Sequence, residues 1–202
     1  LDGAILAYFR DGGSSTDEFG LKAIDIGMDL KGNDMDQTGR TWFSFYHNYD
    51  NVTASSNDNY FLWEFFYKII NQANGIINTI PDDAAAESLV FKNKSYAYRG
   101  IAYFYLIRLY QHTKSTDTTE AIPIDFGDFV GQPNSTVGKV KEQIISDLTT
   151  AYNGLSDYTR SSVEEVDASV VAAYLARYYL TYEDWVNAEK YADEAAQAGT
   201  IS

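Results

Sequence analysis

From Asp58 to Ile80 the apolar residues Leu62, Phe66, Ile69, Ala73, Ile76 and Ile80 recur every three or four positions. That is the period of a helix with one buried face. Asp58 or Asn59 can cap its start and Pro81 stops it. The next stretch, Ala84 to Gln111, behaves differently. Its single breaker is Gly100, and beyond Tyr96 nearly every position is apolar, whichever face it falls on. A helix apolar all round is one covered on all sides, so this segment is expected at the centre of a helical bundle. Arg99 and Arg108, nine residues apart at about 100° per residue, fall on opposite faces. They are expected to be two separate partners of carboxylates or carbonyls and not one basic site.

A polar, Gly- and Pro-punctuated connection over 112–135 follows, longer than most loops in compact domains and therefore either functional or loosely ordered. Val137, Val140, Ile144, Leu148, Ala151 and Leu155 then mark an amphipathic helix capped by Ser135 or Thr136. Asp167 caps a further helix, Ala168 to Tyr182, in which Ala172, Ala173 and Ala176 permit close contact. After a turn at Glu183 and Asp184, Trp185 to Ala198 closes the series, with Ala188, Tyr191, Ala192 and Ala195 expected inside. This last pair resembles a tetratricopeptide-type hairpin, and 84–111 with 136–155 repeats the scheme around a long insertion. Helix pairs of this kind bury their faces by stacking on neighbours. No run with strand periodicity occurs, and the expected fold class is all-α: stacked tetratricopeptide-like hairpins around a buried central helix, in one domain over 1–202, with 31–58 and 112–135 as inserted loops.

Composition narrows the function. The 202 residues carry 29 acidic against 15 basic side chains, a net charge of −14. Such a field repels nucleic-acid phosphates and anionic membrane surfaces. Cysteine is absent, which removes thiolate catalysis and Cys-ligated zinc. The 17 tyrosines exceed what a core asks for and suit a half-wet binding surface, since each ring carries a polar tip. The sequence opens directly on a helical pattern, LDGAILAYFR, and stops at AGTIS, as a piece of a longer chain does; any targeting or lipidation signal is expected upstream.

Three stretches together resemble the SusD/RagB-like family of outer-membrane nutrient-binding lipoproteins. LWEFFYKIINQANGIINTI is similar to that family's Trp, Tyr, Ile and Asn helix through Trp63, Tyr67, Ile70 and Asn74. YRGIAYFYLIRLYQ is similar to its Arg-Ala-x-x-Tyr-Phe-x-Leu-x-Arg-Leu-Tyr-Gly helix through Arg99, Tyr103, Phe104, Leu106, Arg108, Leu109 and Tyr110. QPNSTVGKVKEQIISDL and YLARYYLTYEDWVNAEKYA follow in the family's order and spacing. Gly100, Gln111 and Gly138 depart from it, the last standing where an acidic capping-box residue is preferred. The resemblance covers essentially this whole chain but only the N-terminal portion of a family member. It implies structural roles for Trp63, Tyr67, Asn74, Arg99, Arg108 and Trp185.

The least core-like aromatic cluster is RTWFSFYHNYDN, Arg40 to Asn51. Sugars present flat C–H faces that stack on rings and hydroxyls that pair with amides and carboxylates. Trp42, Tyr46, Asn48, Tyr49 and Asp50 therefore form the candidate glycan-binding set; the competing reading has Trp42, Phe43 and Phe45 anchoring a surface loop. Asp29, Asn33, Asp34 and Asp36 resemble part of a calcium loop but lack its alternating order and distal Glu. A solvated acidic turn is the expectation there, with no cofactor. No G-x-S-x-G, zinc spacing or other catalytic signature joins His47 and His112, so no enzyme is expected.

The function expected is a non-catalytic cell-surface protein that captures oligosaccharides. By resemblance it is lipid-anchored at the outer membrane through a segment outside this chain and delivers its ligand to a SusC-like TonB-dependent transporter. The alternative is a tetratricopeptide-like module that binds peptides or proteins along a groove.

Overall fold

The computed structural model describes residues 3–13, 18–32, 35–39, 42–50, 53, 56–127 and 132–198. Among them are eight helices: α1 Gly3–Asp11, α2 Leu21–Lys31, α3 Ser44–Asn48, α4 Asn57–Thr79, α5 Ala86–Tyr110, α6 Val137–Gly154, α7 Ala168–Thr181 and α8 Trp185–Ala198. The one β pairing among these residues is an isolated bridge between Glu120 and Thr136. The fold is all-α. The residues group into two compact units, Gly3–Ile69 and the stretch from Ile70 onward, dividing within α4.

In the second unit α5 is the organiser. Every residue from Ala97 to Ile107 is buried, as its unbroken apolar run requires. Helix α6 packs along it in the opposite direction: Asn93 Nδ2 donates to the Gly154 carbonyl at 3.1 Å, while Arg99, further along α5, reaches back to Asp147. Gly100 lies at the crossing, where an added Cβ would stand 3.0 Å from Leu148, so the glycine lets the two helices approach. Helix α6 also packs on α7, and α7 on α8. The three-residue turn between α7 and α8 places Glu183 at a φ of 63°.

The polar atoms of α5 fasten the connections. Lys92 Nζ donates to the Ile80 carbonyl and to Asp82, both at 2.6 Å, closing the α4–α5 turn. Lys94 Nζ meets the Tyr158 hydroxyl at 3.0 Å and Glu165 at 3.5 Å, tying down the loop between α6 and α7. Arg99 donates through Nε and Nη2 to the two Asp147 oxygens at 2.8 and 2.7 Å and through Nη1 to Asn74 Oδ1 at 2.7 Å. Asn74 Nδ2 donates to the Asp125 carbonyl at 2.9 Å, and the Tyr103 hydroxyl accepts from Asp125 N at 2.8 Å. Burial pushes the Asp147 carboxyl up, opposed by Arg99 and Gln143. Burial also pushes the Tyr103 hydroxyl up. Lys92 and Lys94 thus hold connections, while Arg99 joins α5 to α4 and α6.

Caps follow the sequence. Thr136 Oγ1 accepts from Lys139 N at 3.4 Å and Asp167 Oδ1 from Val170 N at 3.1 Å. The departure at Gly138 has a structural reason. Its N–H donates to the Asp117 carbonyl at 2.9 Å, and a Cβ there would stand 2.9 Å from Asp117 Cβ. With Thr136 as the cap, the capping-box position falls on Lys139, and the insertion after α5 occupies the space a side chain at Gly138 would fill. Its described part is tied down at several further points: Gln111 Nε2 donates to the Glu120 carbonyl at 2.7 Å, and Val137 N to Thr119 O at 2.9 Å.

Three expectations are corrected. Helix α8 buries Ala188 alone among its predicted inner positions; Tyr191 and Ala195 are half-buried and Ala192 is exposed, because α7 covers one face of it. Trp185, for which the resemblance implied a structural role, is 63% exposed. Arg108 is exposed and lies over the Phe104 ring, 5.2 Å from its centroid, instead of pairing with a carboxylate or carbonyl.

Candidate functional site

The aromatic loop Trp42–Asp50 belongs to the first unit, where α2 carries it. Ala23, Ile24, Gly27 and Leu30 form the buried face of α2 at helical spacing. Gly27 is the seat of the loop. A Cβ there would lie 2.9 Å from Tyr46 Cζ, so the missing side chain lets the Tyr46 ring lie directly on the helix. Tyr46 is 6% exposed. Phe45 packs against it at a centroid distance of 4.3 Å and Phe43 stacks at 6.0 Å. Phe43 in turn meets Phe19 edge-on at 5.9 Å. The Lys31 ammonium sits 5.1 Å from the Tyr46 centroid.

On this base α3 makes little more than one turn and ends at Tyr49 in the left-handed region, φ 55° and ψ 29°. Non-glycine residues adopt that conformation at a cost of about 1–2 kcal/mol. Two contacts hold it: Asp50 N donates to the Phe45 carbonyl at 2.9 Å, and the Tyr49 hydroxyl donates to the Lys31 carbonyl at the end of α2. The Tyr49 ring is thus pinned at its tip and backbone while remaining 61% exposed. Trp42 is 68% exposed at the other end of the turn. Asn48 and Asp50 are exposed beside Tyr49, and His47 Nε2 lies 3.5 Å from Asp36 Oδ1.

The five candidate residues therefore divide. Trp42, Asn48, Tyr49 and Asp50 face outward from one short turn, whereas Tyr46 is the anchor that holds the turn and has no open face. Phe43 and Phe45 are half-buried in the same packing. Helix α2 carries the turn, and its signal was present in the spacing of Ala23, Gly27 and Leu30. Trp63 and Tyr67 pack on each other at 4.7 Å on α4, and Asn74 with Arg99 belongs to the buried network of the second unit. Of the four oxygen donors considered for calcium, Asn33 and Asp34 lie outside the described residues; Asp29 and Asp36 are exposed.

Known proteins resemble this chain in sequence and in fold. Residues 26–180 match the SusD-like family described as starch-binding and associating with the outer membrane. The chain belongs to this SusD-like family. A SusD-like protein of Formosa agariphila, P38, is 30% identical over 118 residues, covering 56% of this chain and 23% of that protein. The crystal structure of a SusD-like carbohydrate-binding protein from Bacteroides vulgatus superposes with a TM-score of 0.88 at 22% identity, over 99% of this chain and 44% of that one. A laminarin-binding SusD-like protein superposes with a TM-score of 0.69 at 18% identity, over 96% of this chain and 41% of that one. These solved structures establish the fold. The SusD-like chain spans about a quarter of the curated relative and under half of each of the two solved proteins.

Proposed function

We propose that this chain is part of a non-catalytic cell-surface protein that captures oligosaccharides and passes them to a SusC-like TonB-dependent transporter in the outer membrane, where a lipid anchor borne outside this chain holds it. The observation that carries the reading is the exposure of Trp42 and Tyr49 at the two ends of the turn that Tyr46 seats on α2. Two exposed rings flanked by Asn48 and Asp50 offer stacking surface and hydroxyl partners together, and stacking on a fixed ring loses little conformational entropy on binding. Family membership supports the same ligand class.

Trp42 and Tyr49 take the flat faces of pyranose rings, while Asn48 and Asp50 accept or donate to ring hydroxyls. Binding without bond cleavage raises the local ligand concentration beside the transporter. Isothermal titration of the chain against neutral oligosaccharides tests this, with Trp42→Ala and Tyr49→Ala as controls. Saturable binding lost in both variants is the expected result. Equal binding by wild type and both variants, or none to any glycan, overturns it.

A further inference from the structure

The insertion after α5 presents another exposed ring, within the unit from Ile70 onward. Two amides one turn apart on α4 grip consecutive carbonyls of the insertion: Asn74 Nδ2 donates to Asp125 O at 2.9 Å and Asn78 Nδ2 to Phe126 O at 3.0 Å. The Tyr103 hydroxyl accepts from Asp125 N at 2.8 Å, and Asp125, itself buried, accepts through Oδ1 from Gly127 N at 2.7 Å. Gly127 has a φ of 115°, which glycine adopts without steric cost. Between these clamps the Phe126 side chain is 57% exposed, with the Arg99 guanidinium 5.7 Å from its ring centroid. A single exposed apolar residue is ordinary on a protein surface. Phe126 differs in being fixed: buried polar groups hold the backbone around it, and a buried cation lies against its ring. The adjoining helix surface is uncharged. In a chain with 22% charged residues none occurs from Ile70 to Pro81, and Asn71, Gln72 and Asn78 are exposed there. Gly75 lies among them, and a Cβ added to it would meet nothing within 4 Å. Tyr96, half-buried, rests against the same guanidinium at 5.3 Å.

We propose that Phe126 is the stacking group of a second, weaker glycan-binding site, which takes uncharged pyranose rings independently of the Trp42–Tyr49 turn. Its ligand class rests on the reading of the protein as a glycan-capture protein. A sugar face lies on the exposed side of the Phe126 ring, and the Asn78 amide, tied to the Phe126 carbonyl, meets the hydroxyls. An amide both donates and accepts, as a sugar hydroxyl does, and carries no charge whose desolvation would oppose binding. Because the ring is already immobilised, stacking on it costs little conformational entropy. With one fully presented ring the site binds at about millimolar strength, too weakly to register in the titration that reports Trp42 and Tyr49.

The probes are neutral linear oligosaccharides of the malto, laminari, xylo and manno series, and the readout is NMR of the isotope-labelled chain. With at least one series the Phe126 ring signals shift saturably, in wild type and in Trp42→Ala alike. Phe126→Tyr keeps a flat face and keeps the response of the Asn78 side-chain amide. Phe126→Leu still covers Arg99 but offers no flat face; it loses the Asn78 response while its melting temperature is unchanged. Trp42 indole signals that move while Phe126 stays still in every series overturn the second site and leave the Trp42 turn standing. Phe126 signals that move only when Trp42 is intact overturn its independence, and an Asn78 response undiminished in Phe126→Leu overturns the stacking role. Stillness of both rings with every probe overturns this site and the glycan reading together.

Discussion

Arg99 and Asp147 meet in a two-point hydrogen-bonded ion pair, at 2.8 and 2.7 Å, with both side chains almost wholly buried between α5 and α6. The pair is complete because Asn74 and Gln143 take up further donors and acceptors around it, and the Tyr96 and Phe126 rings flank the guanidinium at 5.3 and 5.7 Å. Breaking such a pair from one side strands a charge out of water. Arg99→Ala is therefore expected to cost about 3–5 kcal/mol of stability. Urea unfolding measures it, and a loss under about 1 kcal/mol contradicts this account. Arg99→Lys keeps the charge but loses the fork that grips both oxygens, and falls between.

The ring on α2 gives a second expectation. Gly27→Ala pushes a methyl into Tyr46, and overpacking of this kind costs about 1–3 kcal/mol. Because Tyr46 carries the turn, the same variant should weaken oligosaccharide binding without touching an exposed ring. Thermal melts and titration together check it; binding retained at wild-type strength in a folded Gly27→Ala protein refutes the coupling.

The exposed and buried rings of the loop are separable. Trp42→Ala removes a side chain that is 68% exposed and should change stability by no more than about 0.5 kcal/mol while abolishing binding. Tyr46→Ala empties a packed site and should cost about 3–5 kcal/mol. If denaturation ranks the two the other way round, the division of the loop into anchor and platform fails.

Glu165 provides a pH signature. Hydrogen bonds from the Tyr158 hydroxyl, then from Ser161, with Lys94 adding its charge, hold its carboxyl down at about 2 against an ordinary 4.5. A depressed acid contributes stability that is full above its unfolded value and is lost as pH falls through the folded one. Melting temperature should therefore drop between about pH 4.5 and pH 2, and Glu165→Gln should flatten that part of the curve. An unchanged curve in the variant assigns the acid sensitivity elsewhere.

At Gly138 the family-preferred acidic residue should harm this chain. Gly138→Glu sets a Cβ against Asp117 and adds negative charge beside it, where Lys141 already pairs with Asp117 at 3.0 Å. A loss of about 1 kcal/mol is expected; stabilisation, as an acidic residue in the first turn of a helix brings, argues that the insertion does not dock there.

How much of this was legible in advance differs by element. Helix α5 was recognisable as interior because apolar residues on every face leave no side for water. The caps at Thr136 and Asp167 were recognisable because they act within three residues. Helix α2 was missed: its buried stripe runs through Gly27, and a glycine in a helix reads as a weakness when the ring that fills its space lies nineteen positions away. The exposure of Ala192 was misjudged because hairpin periodicity says which residues share a face and not whether a neighbour covers it.

What the amino-acid order determined by itself is helix periods, caps, stops, a net charge of −14, and the ordered motifs of a known family. Only the tertiary structure decided which rings of the Trp42–Asp50 turn are anchor and which are surface, and which partners Arg99 and Arg108 take. The reason is physical. Hydrophobic patterning is read along one chain segment, whereas burial depends on what another segment, such as α2 through Gly27 or α6 through Asp147, brings within a few ångströms.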